Sequence, residues 1–280
     1  MNPWNEEPEG RPQVQFAYPP LTPVVKRIIV ATVVAFFGLF LMGFGGGVIR
    51  EHVVDWLAVD PKVWRSWFPL VPVWQLVTYG FVHDMSGLGH LFFNMLTLYF
   101  FGGMLESSLG GRRFGLFYFS ALAVAALTHV MVTPLLGWGL PAIGASGACL
   151  AVLIASAAMR PNAVVYLLVF PVKLKYVAGA LVVVDVFQVL VQLQGGPSDG
   201  TAIYVHLGGA LYGFLAVRLR WIYSDPVATF ERKRAVASAE RLVSDEARMD
   251  QLLARIKRDG LGALSSAERE FLKRQSERGR

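Results

Sequence analysis

Long apolar runs with few polar interruptions occupy most of the chain between residues 28 and 217. A helix needs about 20 apolar residues to cross a hydrocarbon core about 30 Å thick. Five runs reach or approach that length: 28–49, 86–105 with His90, 114–138, 176–193 with Asp185, and 201–217 with His206. Together with the shorter run 146–159, the pattern predicts six membrane-spanning helices.

The composition supports a lipid environment for this segment. Hydrophobic residues make up 54% of the chain, charged residues 16%, and the mean hydropathy is +0.47. These values lie outside the range of ordinary soluble domains and inside that of polytopic membrane proteins. We therefore predict an all-α, polytopic membrane domain over residues 24–222.

The basic residues cluster in every second connection between the predicted helices, and so on one side of the membrane. They gather before the first helix, between the second and third, between the fourth and fifth, and after the sixth: Lys26, Arg27, Arg112, Arg113, Arg160, Lys173, Lys175, Arg218 and Arg220. Short loops rich in Lys and Arg stay in the cytoplasm. Both termini are therefore predicted to be cytoplasmic, and the long loop 50–87, which carries charges of both signs, to face outside.

The two ends of the chain differ from the membrane domain. Residues 1–23 hold six prolines and three glutamates without a signal-peptide pattern, which predicts a disordered cytosolic tail. Residues 223–280 hold half of the 26 lysines and arginines. We predict a charged cytosolic helical hairpin there, its first helix ending at Gly260 and its second starting at Ser265 with Glu268 in a capping box. A soluble hairpin is the simplest interpretation, and a role in binding the membrane surface or a partner is the alternative.

The fourth apolar run is too short to cross the membrane. Glycines and a proline before Ser146 oppose a helix, so we expect the helix to begin near Ser146 and end before Arg160. At about 1.5 Å per residue it rises about 21 Å, which leaves its start about 10 Å below the outer surface. The preceding loop must enter the membrane, and irregular backbone at that depth needs protein or a water-filled cavity around it. A pocket open to the outside is expected around Ser146.

A possible nucleophile lies at this helix start, in the sequence Gly144-Ala145-Ser146-Gly147-Ala148. The first amides of a helix have no partner within it and can stabilise an oxyanion. The alternative is that the small residues only allow close helix packing.

His206 is a candidate base, because an ionisable residue inside a membrane span is costly and an imidazole titrates near neutrality. Gly209 and Gly213 share its helix face and would let this helix approach the fourth, whereas a buried histidine bonded to a carbonyl is the alternative.

Other polar residues of the membrane domain are assigned as follows. His90 and Asn94 project from one helix face and can donate hydrogen bonds to an oxyanion, or simply to each other. We expect a structural role for Asp185, satisfied by neighbouring donors, although a carboxylate near His206 would favour the imidazolium. His83 and His129 are expected to be interfacial, and the single cysteine, Cys149, to serve packing.

Several of these pieces together resemble one known family. They are Gly144-Ala145-Ser146-Gly147-Ala148, His90-xxx-Asn94, Glu106 with Gly110, and His206-xx-Gly209-xxx-Gly213, and their order and spacing over roughly residues 60–222 resemble the rhomboid intramembrane serine proteases. The resemblance implies a six-helix core with a catalytic dyad of Ser146 and His206. It also implies an oxyanion hole of His90, Asn94 and the Ser146 amide, a mobile cap at 195–200 and a substrate gate at the fifth helix. The chain departs from the family at Gln75, where many relatives have arginine, and at Val205, where alanine is usual.

The expected activity is therefore intramembrane serine endopeptidase cleavage of transmembrane segments through an acyl-enzyme. Transmembrane protein substrates and the lipid bilayer are the expected partners. The sequence has no GxxxxGK[ST], CxxC or HExxH motif, so we expect no cofactor, no metal and no nucleic-acid partner. The bacterial cytoplasmic membrane is the expected location. Two other functions remain open, an inactive relative that binds transmembrane segments and a small transporter with broken helices.

Overall fold

The computed structural model describes residues 21–45, 47–136, 140–167, 170–195 and 202–278. Most of the predicted N-terminal tail and of the cap at 195–200 therefore lies outside the described residues. The chain divides into two compact units, Met1–Ser224 and Asp225–Arg280.

Helices make up nearly all of the regular structure in the first unit. In chain order they are α1 (Pro23–Met42), α2 (Val48–Leu57), α3 (Pro61–Ser66), α4 (Gln75–Thr78), α5 (Gly89–Thr97), α6 (Gly103–Leu109), α7 (Gly111–Val132), α8 (Ser146–Met159), α9 (Leu174–Leu193) and α10 (Ile203–Arg218). A π-helical turn at Leu98–Gly102 joins α5 and α6 into one continuous segment. The predicted all-α polytopic fold is confirmed, with its six segments formed by α1, α5–α6, α7, α8, α9 and α10.

The length and hydropathy of these segments vary. The helix segments Pro23–Met42, Gly111–Leu135 and Leu174–Leu193 are long and apolar enough to cross a membrane, whereas α8 and α10 are shorter apolar helices. Two features of the fold were not predicted from the sequence. Helices α2, α3 and α4 lie in the first loop, and an antiparallel hairpin of β1 (Val164–Leu167) and β2 (Phe170–Lys173) connects α8 to α9.

The first unit, Met1–Ser224, is called the membrane unit below. Helix α8 forms its centre, since most of the residues of α8 are buried. Helix α10 lies directly against it. A Cβ atom added to Gly209 would stand 2.0 Å from the backbone oxygen of Gly147, and one added to Gly213 would stand 2.3 Å from that of Ala151. The two backbones are thus in contact, as the spacing of the two glycines predicts.

The loop before α8 is held by backbone hydrogen bonds to the first loop. The amide and carbonyl of Ala142 pair with those of Val59, at 2.8 and 3.0 Å, and the Gly144 amide donates to the Tyr79 carbonyl at 2.9 Å. Protein groups therefore satisfy this irregular backbone, as the predicted depth of the loop in the membrane requires. The predicted start of α8 at Ser146 is confirmed.

Glu106 fixes the entry of the chain into the membrane unit. Its carboxylate accepts hydrogen bonds from the amides of Val24 and Val25, at 3.0 and 2.9 Å, and from the Thr22 hydroxyl. These amides belong to the first turn of α1, whose N–H groups have no partner within the helix. A buried acid of α6 thus caps α1, with the negative charge at the positive end of the helix dipole.

His83 and His129, predicted to be interfacial rather than catalytic, are both buried inside the protein, at 1% and 3% exposure. His129 Nε2 lies 3.0 Å from the carbonyl of Leu140, and its Nδ1 lies 3.1 Å from the Thr133 hydroxyl. A carbonyl can only accept, so Nε2 carries the proton and Nδ1 accepts from Thr133. His129 thereby ties the end of α7 to the loop that leads into α8.

The second unit contains two helices, α11 (Pro226–Asp259) and α12 (Ser266–Arg278). Helix α11 ends where Gly260 predicts. At the start of α12, the Ser265 amide donates to the Glu268 carboxylate at 2.7 Å and the Glu268 amide donates to the Ser265 hydroxyl at 3.3 Å. This is the predicted capping box. Arg255 of α11 pairs with Glu268 at 3.3 Å, so the helices form a hairpin.

Candidate active site

Ser146 and His206 meet between α8 and α10. Ser146 is the first residue of α8, and His206 lies in the first turn of α10. The close contact of the two helices brings Nε2 of His206 to 2.8 Å from the Ser146 hydroxyl. Both side chains are half-buried, so a reacting group has access to them. The distance is that of a nucleophile hydrogen-bonded to its base.

Asp185 of α9 lies on the other side of the same imidazole. Its Oδ1 is 3.1 Å from His206 Nδ1, and the aspartate is buried. An ionised carboxylate only accepts hydrogen bonds, so Nδ1 carries the proton and Nε2 is left to accept from the Ser146 hydroxyl. Asp185 was expected to be satisfied by neighbouring donors, and the donor in the structure is His206. Ser146, His206 and Asp185 form a continuous hydrogen-bonded chain across α8, α10 and α9.

His90 and Asn94 of α5 border the backbone just before Ser146. A Cβ atom added to Gly144 would stand 2.7 Å from the His90 ring and 3.9 Å from the Asn94 side-chain nitrogen. Gly144 also has a φ of +109°, which L side chains rarely adopt. Glycine is required here for both reasons. The structure thus brings His90 and Asn94 to the same loop end as Ser146.

His83 belongs to this site, although its sequence position did not reveal it. Its Nε2 lies 3.1 Å from the Asn94 side-chain nitrogen and 3.5 Å from the Ala145 amide, and its ring centroid is 5.0 Å from that of His90. Two donors at Nε2 place the proton on Nδ1. Burial, with the neighbouring His90 as a smaller cause, lowers the pKa of His83 to about 4. The residue stays neutral near pH 7 and holds the Asn94 amide in place.

Contacts in the structure account for three further residues that the sequence analysis singled out. The Val205 side chain packs on Gly147, because a Cβ atom added to that glycine would stand 2.6 Å from Val205. Cys149 is buried, and its thiol donates to the Asn94 carbonyl at 3.4 Å, which joins α8 to α5. Gln75, the other departure from the family pattern, accepts from the Trp64 indole at 2.9 Å and stabilises the first loop.

These groups together have the parts that acyl transfer needs. A hydroxyl is hydrogen-bonded to a neutral imidazole nitrogen, and amide and imidazole donors of Asn94 and His90 lie beside the loop end that carries it. The amide of Ser146 belongs to the first turn of α8, where helix N–H groups lack intrahelical partners. Donors set around a nucleophile can stabilise the negative charge that forms when a carbonyl is attacked.

Fold and site define a class, that of helical integral membrane proteins with a polar site enclosed by their spanning segments. The model of the Rhomboid domain matches residues 72–223, which is more than half of the chain. The chain therefore belongs to the rhomboid family, a family of intramembrane proteases. No curated protein matches it. The matched range contains Ser146, His206 and Asp185, and also His83, His90 and Asn94.

Proposed function

We propose that this protein is a serine endopeptidase that cleaves transmembrane segments of membrane proteins, with Ser146 as the nucleophile and His206 as its general base. The observation that carries the proposal is the 2.8 Å hydrogen bond between the Ser146 hydroxyl and His206 Nε2. Family membership supports intramembrane proteolysis, and the hydrogen bond supports the serine-type mechanism.

The reaction proceeds in two halves. The Ser146 oxygen attacks the peptide carbonyl while its proton passes to His206 Nε2, and a tetrahedral intermediate forms. The intermediate collapses when the imidazolium gives that proton to the leaving amine, which leaves an acyl-enzyme on Ser146. A water molecule then loses a proton to His206 and attacks the ester carbonyl. The second intermediate collapses as the bond to the Ser146 oxygen breaks and the imidazolium returns the proton to that oxygen, which releases the second product as a carboxylic acid.

The negative charge of each tetrahedral intermediate is assigned to an oxyanion hole made of His90, Asn94 and the Ser146 amide. The position of both side chains beside Gly144 supports this assignment. Removal of one such donor typically lowers kcat by about 10²- to 10³-fold. His83 contributes indirectly, because it holds the Asn94 amide.

The substrate is a transmembrane helix that unwinds locally. A fully hydrogen-bonded helix keeps its carbonyls engaged, so attack requires a stretch with small or helix-breaking residues. The half-buried state of Ser146 and His206 is compatible with entry of both an unwound segment and water. The membrane is further proposed to be the bacterial cytoplasmic membrane, with both termini on the cytoplasmic side.

A fluorophosphonate probe tests the serine mechanism directly. The wild-type protein should be labelled and should cleave a model transmembrane substrate, whereas Ser146→Ala and His206→Ala should block labelling. Cleavage should fall by about 10⁴-fold or more, as loss of a nucleophile or its base typically causes. Ser156→Ala is the matched control, because Ser156 lies on the same helix and its hydroxyl contacts the Phe101 carbonyl.

The outcomes separate the candidate functions. Full labelling and turnover in Ser146→Ala would reject the proposed nucleophile. A wild-type protein that binds transmembrane segments without labelling or cleavage would be an inactive relative. Uptake of a solute into vesicles without proteolysis would instead identify a transporter.

A further inference from the structure

Helix α9 turns only one narrow face toward the protein. Its buried residues are Leu174, Ala178 and Asp185, which are separated by about one and about two helical turns and so share a face. Only 11% of its most hydrophobic stretch is buried inside the protein. Leu174 and Ala178 pack with Leu150 and Ala210, from α8 and α10. The carboxylate of Asp185 continues this inner face up to His206.

A carboxylate inside a membrane span is costly and occurs almost only where a partner and a function retain it. Asp185 is the one acidic residue of α9, a helix that the structure describes throughout. Its partner is the Nδ1 atom of His206, at 3.1 Å. The opposite nitrogen of the same ring contacts the Ser146 hydroxyl, at 2.8 Å. The Asp185 carboxylate therefore contacts the proposed base on the side of the ring opposite to Ser146.

We propose that Asp185 is a positioning residue that converts the serine and histidine pair into a functional triad. This inference rests on the proposed function. By accepting a hydrogen bond from Nδ1–H, the carboxylate keeps His206 in the tautomer whose Nε2 can receive the Ser146 proton. During attack that proton moves to Nε2, the Nδ1 proton stays in place, and Asp185 remains ionised beside the imidazolium.

A purely structural role would use the same hydrogen bond to hold α9 against α10. Among the described side chains, the His206 ring is hydrogen-bonded to Ser146, which donates to Nε2, and to Asp185, which accepts from Nδ1. His90 lies near enough to His206 to interact electrostatically. The test must therefore separate chemistry at the ring from helix packing.

Two substitutions distinguish these roles. Asp185→Asn keeps the shape of the side chain but loses the charge, and the amide can place the His206 proton on the wrong nitrogen. Asp185→Glu keeps the charge and adds one methylene group. The kcat and KM for a model transmembrane substrate are measured for both, with the rate of fluorophosphonate inactivation and the unfolding temperature in detergent.

We expect Asp185→Asn to lower kcat and the inactivation rate by a factor on the order of 10⁴, the loss seen when a triad carboxylate is replaced or removed. KM should change less than about threefold, because substrate binding does not involve the carboxylate. Asp185→Glu should retain at least ten times the kcat of Asp185→Asn, a rank order that charge explains and packing does not.

The control removes a different interhelical hydrogen bond of the same helix α10. Tyr212→Phe deletes the 2.6 Å contact between Tyr212 and Ser120 of α7 and should leave kcat within about threefold of the wild-type value.

A loss of kcat below tenfold in Asp185→Asn, or a higher kcat in Asp185→Asn than in Asp185→Glu, would overturn the triad. If Asp185→Asn does not fold, Asp185→Ala is assayed with formate. Restoration of at least tenfold supports the proposal, and no restoration overturns it.

The same measurements keep the two proposals apart. If wild-type activity survives in Ser146→Ala, the serine mechanism itself fails. If Ser146→Ala is inactive and Asp185→Asn is fully active, the dyad stands and the role of Asp185 as a positioning residue is rejected.

Discussion

The imidazoles of the membrane unit differ in which groups reach their two nitrogens. His206 has a carboxylate at Nδ1 and a hydroxyl at Nε2, so its unprotonated nitrogen, Nε2, faces the proposed nucleophile. His83 receives two donors at Nε2 and serves as an acceptor. His129 donates to a carbonyl. Histidine thus serves as the proposed base at His206, as the acceptor that holds Asn94 at His83, and as a structural link at His129. The neighbouring groups determine which of these roles each ring has.

The role of His83 can be tested by removal of its acceptor. In His83→Ala, the Asn94 amide and the buried Ala145 amide lose their shared partner, which costs about 1–3 kcal/mol of stability. We also expect kcat to fall about tenfold or more, because a misplaced Asn94 no longer meets the oxyanion. His83→Gln, which offers a carbonyl oxygen, should be less affected in both measurements. Equal kcat in the wild type and His83→Ala would contradict this role.

The lowered pKa of His83 predicts a pH dependence of stability. Its pKa is about 4 in the folded protein, against an ordinary value of 6.5, so the unfolded chain binds the proton more readily between these values. Stability is therefore lost as the pH falls from about 6.5 toward 4, by about 2 kcal/mol at pH 5. The unfolding temperature measured at pH 7 and pH 5 should fall more for the wild type than for His83→Gln. The same decrease in both proteins would show that other groups are responsible.

The sequence pointed to some site residues but not to others. Ser146 and His206 could be predicted because each stands out against an apolar run and has small residues at helical spacing beside it. His83 lies in an irregular loop, where no periodicity fixes the direction of a side chain. The contact of Asp185 with His206 depends on how α9 rotates against α10, which is a property of tertiary packing.

At the scale of elements, the site depends on the contact between α8 and α10. Gly209 and Gly213 lie against backbone atoms of α8, and backbone cannot move aside as a flexible side chain can. The separation of Ser146 and His206 is set by this packing. A change of about 1 Å between the two helices would lengthen the proposed proton-transfer hydrogen bond and slow the reaction by about 10²-fold.

A single methyl group tests this contact. In Gly209→Ala the new Cβ would stand 2.0 Å from the Gly147 oxygen, so α10 must move away from α8. We expect kcat to fall at least tenfold and stability to fall by about 1–3 kcal/mol, as overpacking typically costs. Cleavage assays and thermal unfolding in detergent measure the two effects.

The matched control for this change is Gly179→Ala. Gly179 lies inside α9, and a Cβ atom there would have nothing within 4 Å. The same substitution should therefore leave kcat unchanged and stability equal or slightly higher, since alanine is the better helix former. A Gly209→Ala protein as active as Gly179→Ala would show that helix contact does not control the site.

Long periodic elements could be predicted from the sequence, whereas short ones could not. The start of α8 followed from glycines and a proline before Ser146, and the end of α11 from Gly260. The β1–β2 hairpin has four residues in each strand, and α3 and α4 have six and four. Elements of that length carry too few positions for a hydrophobic period to stand out. Their formation depends on the loops that surround them.

The chain combines an apolar unit and a charged one. The first unit ends at Ser224 and contains the complete candidate site. The second unit holds about half of the basic charge, and its helices present charged residues along most of their length. The change in composition after residue 222 was visible in the sequence. The proposed chemistry uses residues of the first unit alone.

The proposed orientation of the molecule in the membrane rests on its basic loops and can be tested with cysteines. The single native cysteine, Cys149, is buried, so the unaltered protein should react little with a membrane-impermeant maleimide. Ser66 in the first loop and Ser238 in α11 are both exposed and accept cysteine substitutions. In intact bacterial cells, Ser66→Cys should be labelled and Ser238→Cys should not, because the positive-inside rule keeps the tail in the cytoplasm. Labelling of Ser238→Cys should appear only after the membrane is opened. The reverse pattern would turn the site toward the cytoplasm, and the proposed entry of water to Ser146 would then have to come from that side.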